Sequence, residues 1–449
     1  METTVSTALL TDHYELTMLE AALRSGAAHR RAVFEVFARH LPEGRRYGVV
    51  AGTGRFLDAL ETFRFGEEEL TFLRENRIVD EPTLDFLANY RFRGNVHGYR
   101  EGECYFPGSP ILVVEGTFAE AVLLETLALS VLNHDCAIAS AASRMTHAAG
   151  SRPIIEMGSR RTHEWSAVAA ARAAYLAGFA ATSNLMAGRR YGVPTRGTSA
   201  HAFILVHDSE REAFAAQLDA LGKATTLLVD TYDVATAVRV AVELAGPELG
   251  AVRLDSGDLG VAAHEVRAQL DALGAKNTRI LVTSDLDEYA IAALTAAPVD
   301  GYGVGTSLVT GSGVPTAALV YKLVAREDAE GRLRPVAKRS VGKPSRGGHK
   351  AAFRRLDEHG CALGELVVPT GPDAARRAEA LEIPDNGNGT PPGPVRPLLA
   401  ELVRDGEIVG REPLSAARER HARSMAELPT EAHHLSRGYA AIPTVFAAS

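Results

Sequence analysis

Between about residues 111 and 306 the hydrophobic and polar positions of this chain fall into a rhythm. Short apolar runs of β type alternate with longer Ala/Leu-rich segments of helical period. "ILVVEG" (111–116) precedes a long helical stretch to about residue 149, and "RPIIEMG" (152–158) precedes a helix near 164–177. "GFAATSN" (178–184) leads into a short helix ending near Tyr191. The alternation continues with "TSAHAFIL" (198–205), "TTLLVDT" (225–231), "AVRLDSGD" (251–258), "RILVTSD" (279–285) and "DGYGVGT" (300–306). Such alternation predicts parallel strands joined by helical crossovers. Seven or eight units in series predict an α/β fold, an irregular parallel β/α barrel of TIM-like type.

The flanks read differently. "HRRAVFEVFARH" (29–40) alternates as a half-exposed strand, "TGRFLDALETF" reads as a helix, and "FRGNVHGYREGECYFPGSP" as short strands and turns. Beyond about residue 335 come "ELVVP" and "PLLAELVRDGEIVG", separated by the Gly/Pro-rich stretch 384–394. Both ends are expected to build one second α+β domain, giving segments 1–110, 111–334 (the barrel) and 335–449. Two domains suit 449 residues.

Composition narrows the partners. A net charge of -8 excludes a nucleic-acid binder that works by bulk electrostatics. Three widely spaced cysteines, Cys104, Cys136 and Cys361, read as free thiols of a reducing compartment. Neither C-x-x-C nor H-E-x-x-H occurs, which speaks against zinc. The first residues, "METTVSTALLTDHYE", lack the pattern of a signal peptide. The apolar stretch from Phe118 to Ile138 carries Glu120, Glu125, Asn133 and Asp135, so no membrane span is expected. The expected location is the cytoplasm. Seven Lys or Arg within 338–355 read as a solvated face.

The candidate chemistry lies where the runs end. In a β/α barrel the C-terminal strand ends converge on the active face. There the sequence places Gly158-Ser159-Arg160-Arg161, Ser183-Asn184, Asp230, Asp255-Ser256-Gly257-Asp258, Ser284-Asp285 and Gly303-Val304-Gly305-Thr306. Helix capping accounts for many of the Ser and Asp residues, but not for Arg160, Arg161 and Arg253, which suit an anion. The glycine loop "GYGVGTSLVTGSG" (301–313) matches neither a dinucleotide fingerprint nor a Walker loop. At the end of a barrel series, Gly303 and Gly305 can let backbone approach a phosphate, and Thr306 adds a hydroxyl. In "RLDSGD", Asp255 and Asp258 can face sugar hydroxyls or the waters of a magnesium ion, or Asp258 can simply cap the next helix. His201, in "RGTSAHAFIL", is a packed structural residue, a general base or a nucleophile that takes a phosphoryl group. The residue pattern leaves these three open.

Taken in order, these stretches resemble the nicotinate phosphoribosyltransferase family from about Thr11 to Lys322. The resemblance rests on "TDHYELTM", "EGTFAEAVLLETLALSVLNH", "EMGSRR", "ATSN", "GTSAH", "DTYD", "RLDSGDL" and "GVGTSLVT". It implies an enzyme of pyridine nucleotide (NAD) biosynthesis. Nicotinate displaces pyrophosphate from phosphoribosyl pyrophosphate to give nicotinate mononucleotide, with ATP hydrolysed as co-substrate and Mg2+ on the phosphates. It also implies that ATP phosphorylates His201, that Tyr14, Thr198 and Arg253 contact nicotinate or hold its pocket, and that Thr306 holds the 5′-phosphate. Arg160 is a further contact, and Asp255 and Asp258 hold magnesium indirectly. The implied assembly is a homodimer with shared active sites, Tyr14 reaching in from the partner. One position departs from the pattern: Ala202 stands where many members carry serine, which touches base selectivity. The rival readings are a nicotinamide-using enzyme and a non-catalytic sensor of phosphoribosyl ligands on the same scaffold. Quinolinate enzymes are shorter and lack "GTSAH". A barrel aldolase or hydrolase needs a strand-end lysine or metal cluster that the sequence does not offer.

Overall fold

The computed structural model describes residues 5–338, 345–383 and 392–447. The chain divides into two compact units, one of residues 138–315 and one of residues 1–137 with 316–449. Expectation placed the cuts at 110/111 and 334/335.

The unit 138–315 is built on six parallel strands: Ile154–Glu156, Ala181–Thr182, Thr226–Leu228, Ala251–Leu254, Arg279–Ser284 and Gly301–Val304. From edge to edge they run in the order Ala181, Ile154, Gly301, Arg279, Ala251, Thr226. The Ile154 strand, first of the six, therefore pairs with the Gly301 strand, the last. That pairing closes a barrel, but the sheet stays open between the Ala181 and Thr226 strands. The result is an α/β fold as expected, with a curled half-barrel in place of the irregular TIM-like barrel.

Two predicted strands account for the difference. "TSAHAFIL" was expected to be a strand in the open slot; instead His201–Leu205 is a helix. A strand inside a parallel sheet is buried on both faces, whereas in this segment only Ile204 is buried and Leu205 and Val206 are exposed. Ala, Leu and Phe at helical spacing then take the helical option, since short apolar runs do not discriminate by period. "ILVVEG" does form a strand, Leu112–Thr117, but it pairs antiparallel with Arg31–Ala38 and Asn95–Tyr99 in the other unit.

That unit holds a seven-stranded antiparallel sheet in which Asn95–Tyr99 also pairs with Leu399–Arg404. N- and C-terminal segments thus share one sheet. A four-stranded sheet contains Lys350–Asp357 and Ala362–Pro369. Among its described residues the basic stretch 338–355 is a solvated face only in part: Lys338 and Arg346 are exposed, but Lys350, Arg354 and Arg355 are buried. Lys350 pairs with buried Glu35 at 2.9 Å, Arg354 is fully buried, and Arg355 donates to the carbonyls of Ala378, Glu379 and Leu381. These side chains lie on a strand within a sheet, where interior positions take their partners from the fold. Arg339, Lys343 and most of the Gly/Pro-rich stretch 384–394 lie outside the described residues.

The helical stretch Phe118–Ala149 is apolar enough to cross a membrane by composition, but 67% of its most apolar window is packed inside the protein. It also buries Asp135, which accepts from Arg55 at 2.7 Å and contacts His134 at 2.8 Å. An ion pair on a core face belongs to a folded interior.

Candidate active site

The C-terminal ends of the six strands are linked by a continuous chain of contacts. Glu156 accepts from the Thr182 hydroxyl and from the Gly158 N–H, at 2.5 Å for the latter. Met157 N–H donates to the Val304 carbonyl at 2.8 Å. Gly303 lies in register with Thr283, and the Thr283 hydroxyl donates to Asp255. The Asp255 N–H and the Ser256 hydroxyl donate to Asp230 Oδ2 at 2.8 and 2.7 Å. Asp230 Oδ1 in turn lies 3.2 Å from His201 Nε2.

His201 therefore opens its helix beside the gap in the half-barrel, held by the acid at the end of the Thr226 strand. Its side chain is 39% exposed, whereas Asp230 is 3% exposed. A carboxylate only accepts, so the geometry assigns the proton to Nε2 and leaves the Nδ1 lone pair free to act.

Arg253 donates to Thr198 Oγ1 at 2.6 Å, which brings together two predicted residues. Burial pulls the Arg253 guanidinium below its usual range, Asp255 and Asp230 oppose this, and Arg160 reinforces it. Arg160, itself exposed, thus lies close enough to Arg253 for mutual repulsion that an anion would relieve. Arg253 Nε, Ser199 Oγ and Thr231 Oγ1 are buried with no hydrogen-bond partner among the described residues. Such atoms cost about 1–3 kcal/mol each when left unmade, so they mark places where a ligand's polar groups gain most.

The "EMGSRR" turn is anchored from below by buried Glu156, whose carboxyl burial pushes up despite the Thr182 and Gly158 bonds. Asn184 ties Ser159 into the same turn at 3.0 Å. Asp258 Oδ1 caps helix Leu259–Ala272 through the Val261 N–H at 3.1 Å. Packing requires glycine at 303, because a Cβ there would stand 2.4 Å from Thr283 Cγ2 and 2.7 Å from Met157 Sδ. Gly305 and Thr306 end the same strand on the turn that follows. Tyr14 lies in the other unit. It is 48% exposed, and burial together with Glu125, Glu15 and Asp12 pushes its hydroxyl up to about 12. Among the described residues no group of three or more His, Cys, Asp or Glu could hold a metal ion by itself.

Sequence reasoning gave no role to Asp230, Glu156 or Thr283. Asp230 stood among the strand-end acids, and its place just after the first strand that follows His201 was the available signal. Glu156 and Thr283 act through buried hydrogen bonds that no local pattern announces.

A histidine held by a buried carboxylate, with arginines and hydroxyls at the C-terminal edge of a parallel β/α sheet, defines an enzyme site of the β/α-barrel class suited to an anionic substrate. Residues 9–133 match the family model of the nicotinate phosphoribosyltransferase (NAPRTase) N-terminal domain. Over 444 residues the chain is 57% identical to nicotinate phosphoribosyltransferase pncB1 of Mycobacterium tuberculosis, covering 97% of this chain and 94% of that protein. With pncB2 of the same organism it shares 42% identity over 390 residues, 85% of this chain and 82% of that one. The crystal structure of human nicotinic acid phosphoribosyltransferase superposes with a TM-score of 0.81 at 28% identity, covering 98% of this chain and 97% of that one. The chain belongs to the nicotinate phosphoribosyltransferase family.

Proposed function

We propose that this enzyme forms nicotinate mononucleotide and pyrophosphate from nicotinate and phosphoribosyl pyrophosphate, coupled to ATP hydrolysis through a phosphohistidine at His201. The observation that carries the reading is the Asp230–His201 pair at 3.2 Å, set at the strand ends beside Arg253 and Thr198. Asp230 fixes the Nε2–H tautomer, so Nδ1 attacks the γ-phosphorus of ATP, ADP departs, and the N–P bond is later given up to water. Arg253, with its unpartnered Nε, suits the flat carboxylate of nicotinate, and Arg160 adds positive charge nearby. Thr306 takes the 5′-phosphate. Displacement at the ribose C1 is favoured mainly by positioning and by stabilising the departing pyrophosphate.

Magnesium fits as a companion of the substrate phosphates rather than as a resident ion. Asp255 and Asp258 each commit one oxygen to the fold, through Thr283 and Val261, and keep the other for a metal-bound water. When bound there, the ion neutralises pyrophosphate charge. Tyr14 serves the site from the partner of a homodimer, where its ring can stack on the pyridine. We place the reaction in the cytoplasm, in keeping with three free cysteines.

The test is incubation with Mg-ATP followed by phosphohistidine detection. The wild type is expected to carry label, and His201→Ala to lose both label and ATP coupling while keeping slow transfer. Label persisting on His201→Ala refutes the assignment. A second reading, use of nicotinamide, is favoured only by Ala202. Steady-state assays with both bases decide it, and a preference for nicotinamide overturns the choice of nicotinate.

A further inference from the structure

The segment after Thr306 folds back on itself in an unusual way. Gly311, Ser312 and Gly313 all adopt left-handed backbone, with φ of 62°, 54° and 80°. Glycine does so freely, but a serine in this region is uncommon. Two bonds hold Ser312 there. Its N–H returns to the Ser307 carbonyl at 2.6 Å, and its hydroxyl donates to Glu288 Oε2 at 2.5 Å. Glu288 is only 2% exposed, and its other oxygen accepts from Arg144 Nε at 3.0 Å, Arg144 being equally buried. Arg144 sits on helix Glu125–Ala149, so its position is set by a rigid element of the core.

A buried ion pair is a costly way to hold a surface turn, and glycine at 312 would satisfy the backbone more cheaply. The fold keeps the hydroxyl and a matched pair of charges beneath it. Through Ser307, the anchored residue fixes the turn that presents Thr306. We infer that Arg144, Glu288 and Ser312 are positioning residues for the 5′-phosphate of the phosphoribosyl substrate: they hold the Thr306 turn in its binding geometry without touching the ligand. This rests on the assignment of Thr306 as the phosphate contact.

Ser312→Gly and Ser312→Asn test it. The glycine variant removes the hydroxyl, but relief of the left-handed backbone offsets part of the lost bond to Glu288, so it stays folded. Asparagine tolerates left-handed backbone and carries an amide that can donate to Glu288. Two quantities are read: calorimetric affinity for ribose 5-phosphate, and steady-state KM for each substrate. In Ser312→Gly, ribose 5-phosphate binding is expected to weaken and the KM for phosphoribosyl pyrophosphate to rise, each about tenfold, with the nicotinate KM and kcat within about twofold. Ser312→Asn is expected to recover most of this loss. Wild-type affinity in the glycine variant, or no recovery with asparagine, overturns the inference, as does a wild type that binds no ribose 5-phosphate. A wild type that binds ribose 5-phosphate but does not turn over nicotinate fails the functional reading alone, and the glycine variant's loss of binding then still supports the positioning role.

Discussion

Asp230 joins the loops of the candidate site. One carboxylate serves two loops, with Oδ1 toward His201 and Oδ2 toward the Asp255 N–H and the Ser256 hydroxyl. Every partner it meets is a donor, so an amide cannot replace it. Whichever way the side chain of Asp230→Asn is turned, its NH2 faces a donor, and either the histidine tautomer or the loop support is lost. The variant is expected to lose about 100-fold or more in ATP-coupled turnover, with a parallel loss of phosphohistidine label. Retention of full labelling would show that the tautomer is set elsewhere. Much of this site was legible in the sequence: His201, Thr198, Arg253 and Asp255 all take places in the network. Asp258 was legible only as an ambiguity between cap and ligand, of which the structure shows the cap, made by Oδ1 alone. Asp230 was not legible as a site residue because its importance comes from three partners at sequence distances of 25 to 29 residues.

At the scale of elements, six of the eight runs read from the sequence alternation became parallel strands of one sheet, the last of them pairing with the first. The two misread runs, 111–116 and 198–205, are both short apolar segments, for which period cannot separate a parallel strand from an antiparallel strand or a helix turn. The slot left by 198–205 is where His201 gains exposure, so the break in the barrel is itself part of the site. The strand contact opposite that slot is tight. Gly303→Ala would drive a methyl into Thr283 and Met157, the first of which supports Asp255. We expect a loss of about 1–3 kcal/mol in stability and a rise in KM for phosphoribosyl pyrophosphate, read by thermal melting and steady-state kinetics. Unchanged kinetics would mean that the strands part without disturbing Asp255. Helix Leu414–Ala426 carries a different dependence. It packs so closely on the turn at Gly102 that a Cβ there would lie 2.1 Å from the Ala417 carbonyl, and it buries His421 with Nδ1 3.3 Å from the Gly102 carbonyl. Burial pushes the His421 imidazole down to about 4 from 6.5. The folded state thus prefers the neutral ring. The stability this gives is complete above pH 6.5 and is lost as pH falls towards 4. Between pH 7 and 5 His421 is expected to cost the wild type about 2 kcal/mol, and His421→Gln should remove that part of the slope in urea denaturation. Parallel pH slopes in the two proteins would refute the buried neutral histidine.

Across the whole molecule, the unit that joins both ends of the chain depends on a buried charge cluster that composition concealed. Arg354, fully buried, donates to Glu103 at 2.7 Å, to Glu365 at 2.8 Å and to the Cys104 carbonyl at 2.6 Å. Arg396 bridges Glu103 and Glu427, and the Ser424 hydroxyl donates to Glu103 at 2.6 Å. Residues near 103, 354–365, 396 and 424–427 are thereby pinned at one point. Burial alone would raise Glu103, yet Arg354 and Arg396 hold it down at about 2, whereas burial keeps Glu365 raised in spite of Arg354. In sequence, Arg354 belonged to a basic run that read as solvent-facing, because charge counts carry no information on burial. Removing one partner of such a cluster leaves the others charged and dry, which costs more than the cluster contributes. Arg354→Met is therefore expected to destabilise this unit by about 3–5 kcal/mol. It should lower the first thermal transition and open the C-terminal segment to limited proteolysis. The double variant Arg354→Met, Glu365→Leu removes a buried charge as well as its partner, and it should recover part of the loss. If the single variant melts like the wild type, the cluster is solvated in solution and the C-terminal segment is held by its sheet pairing alone.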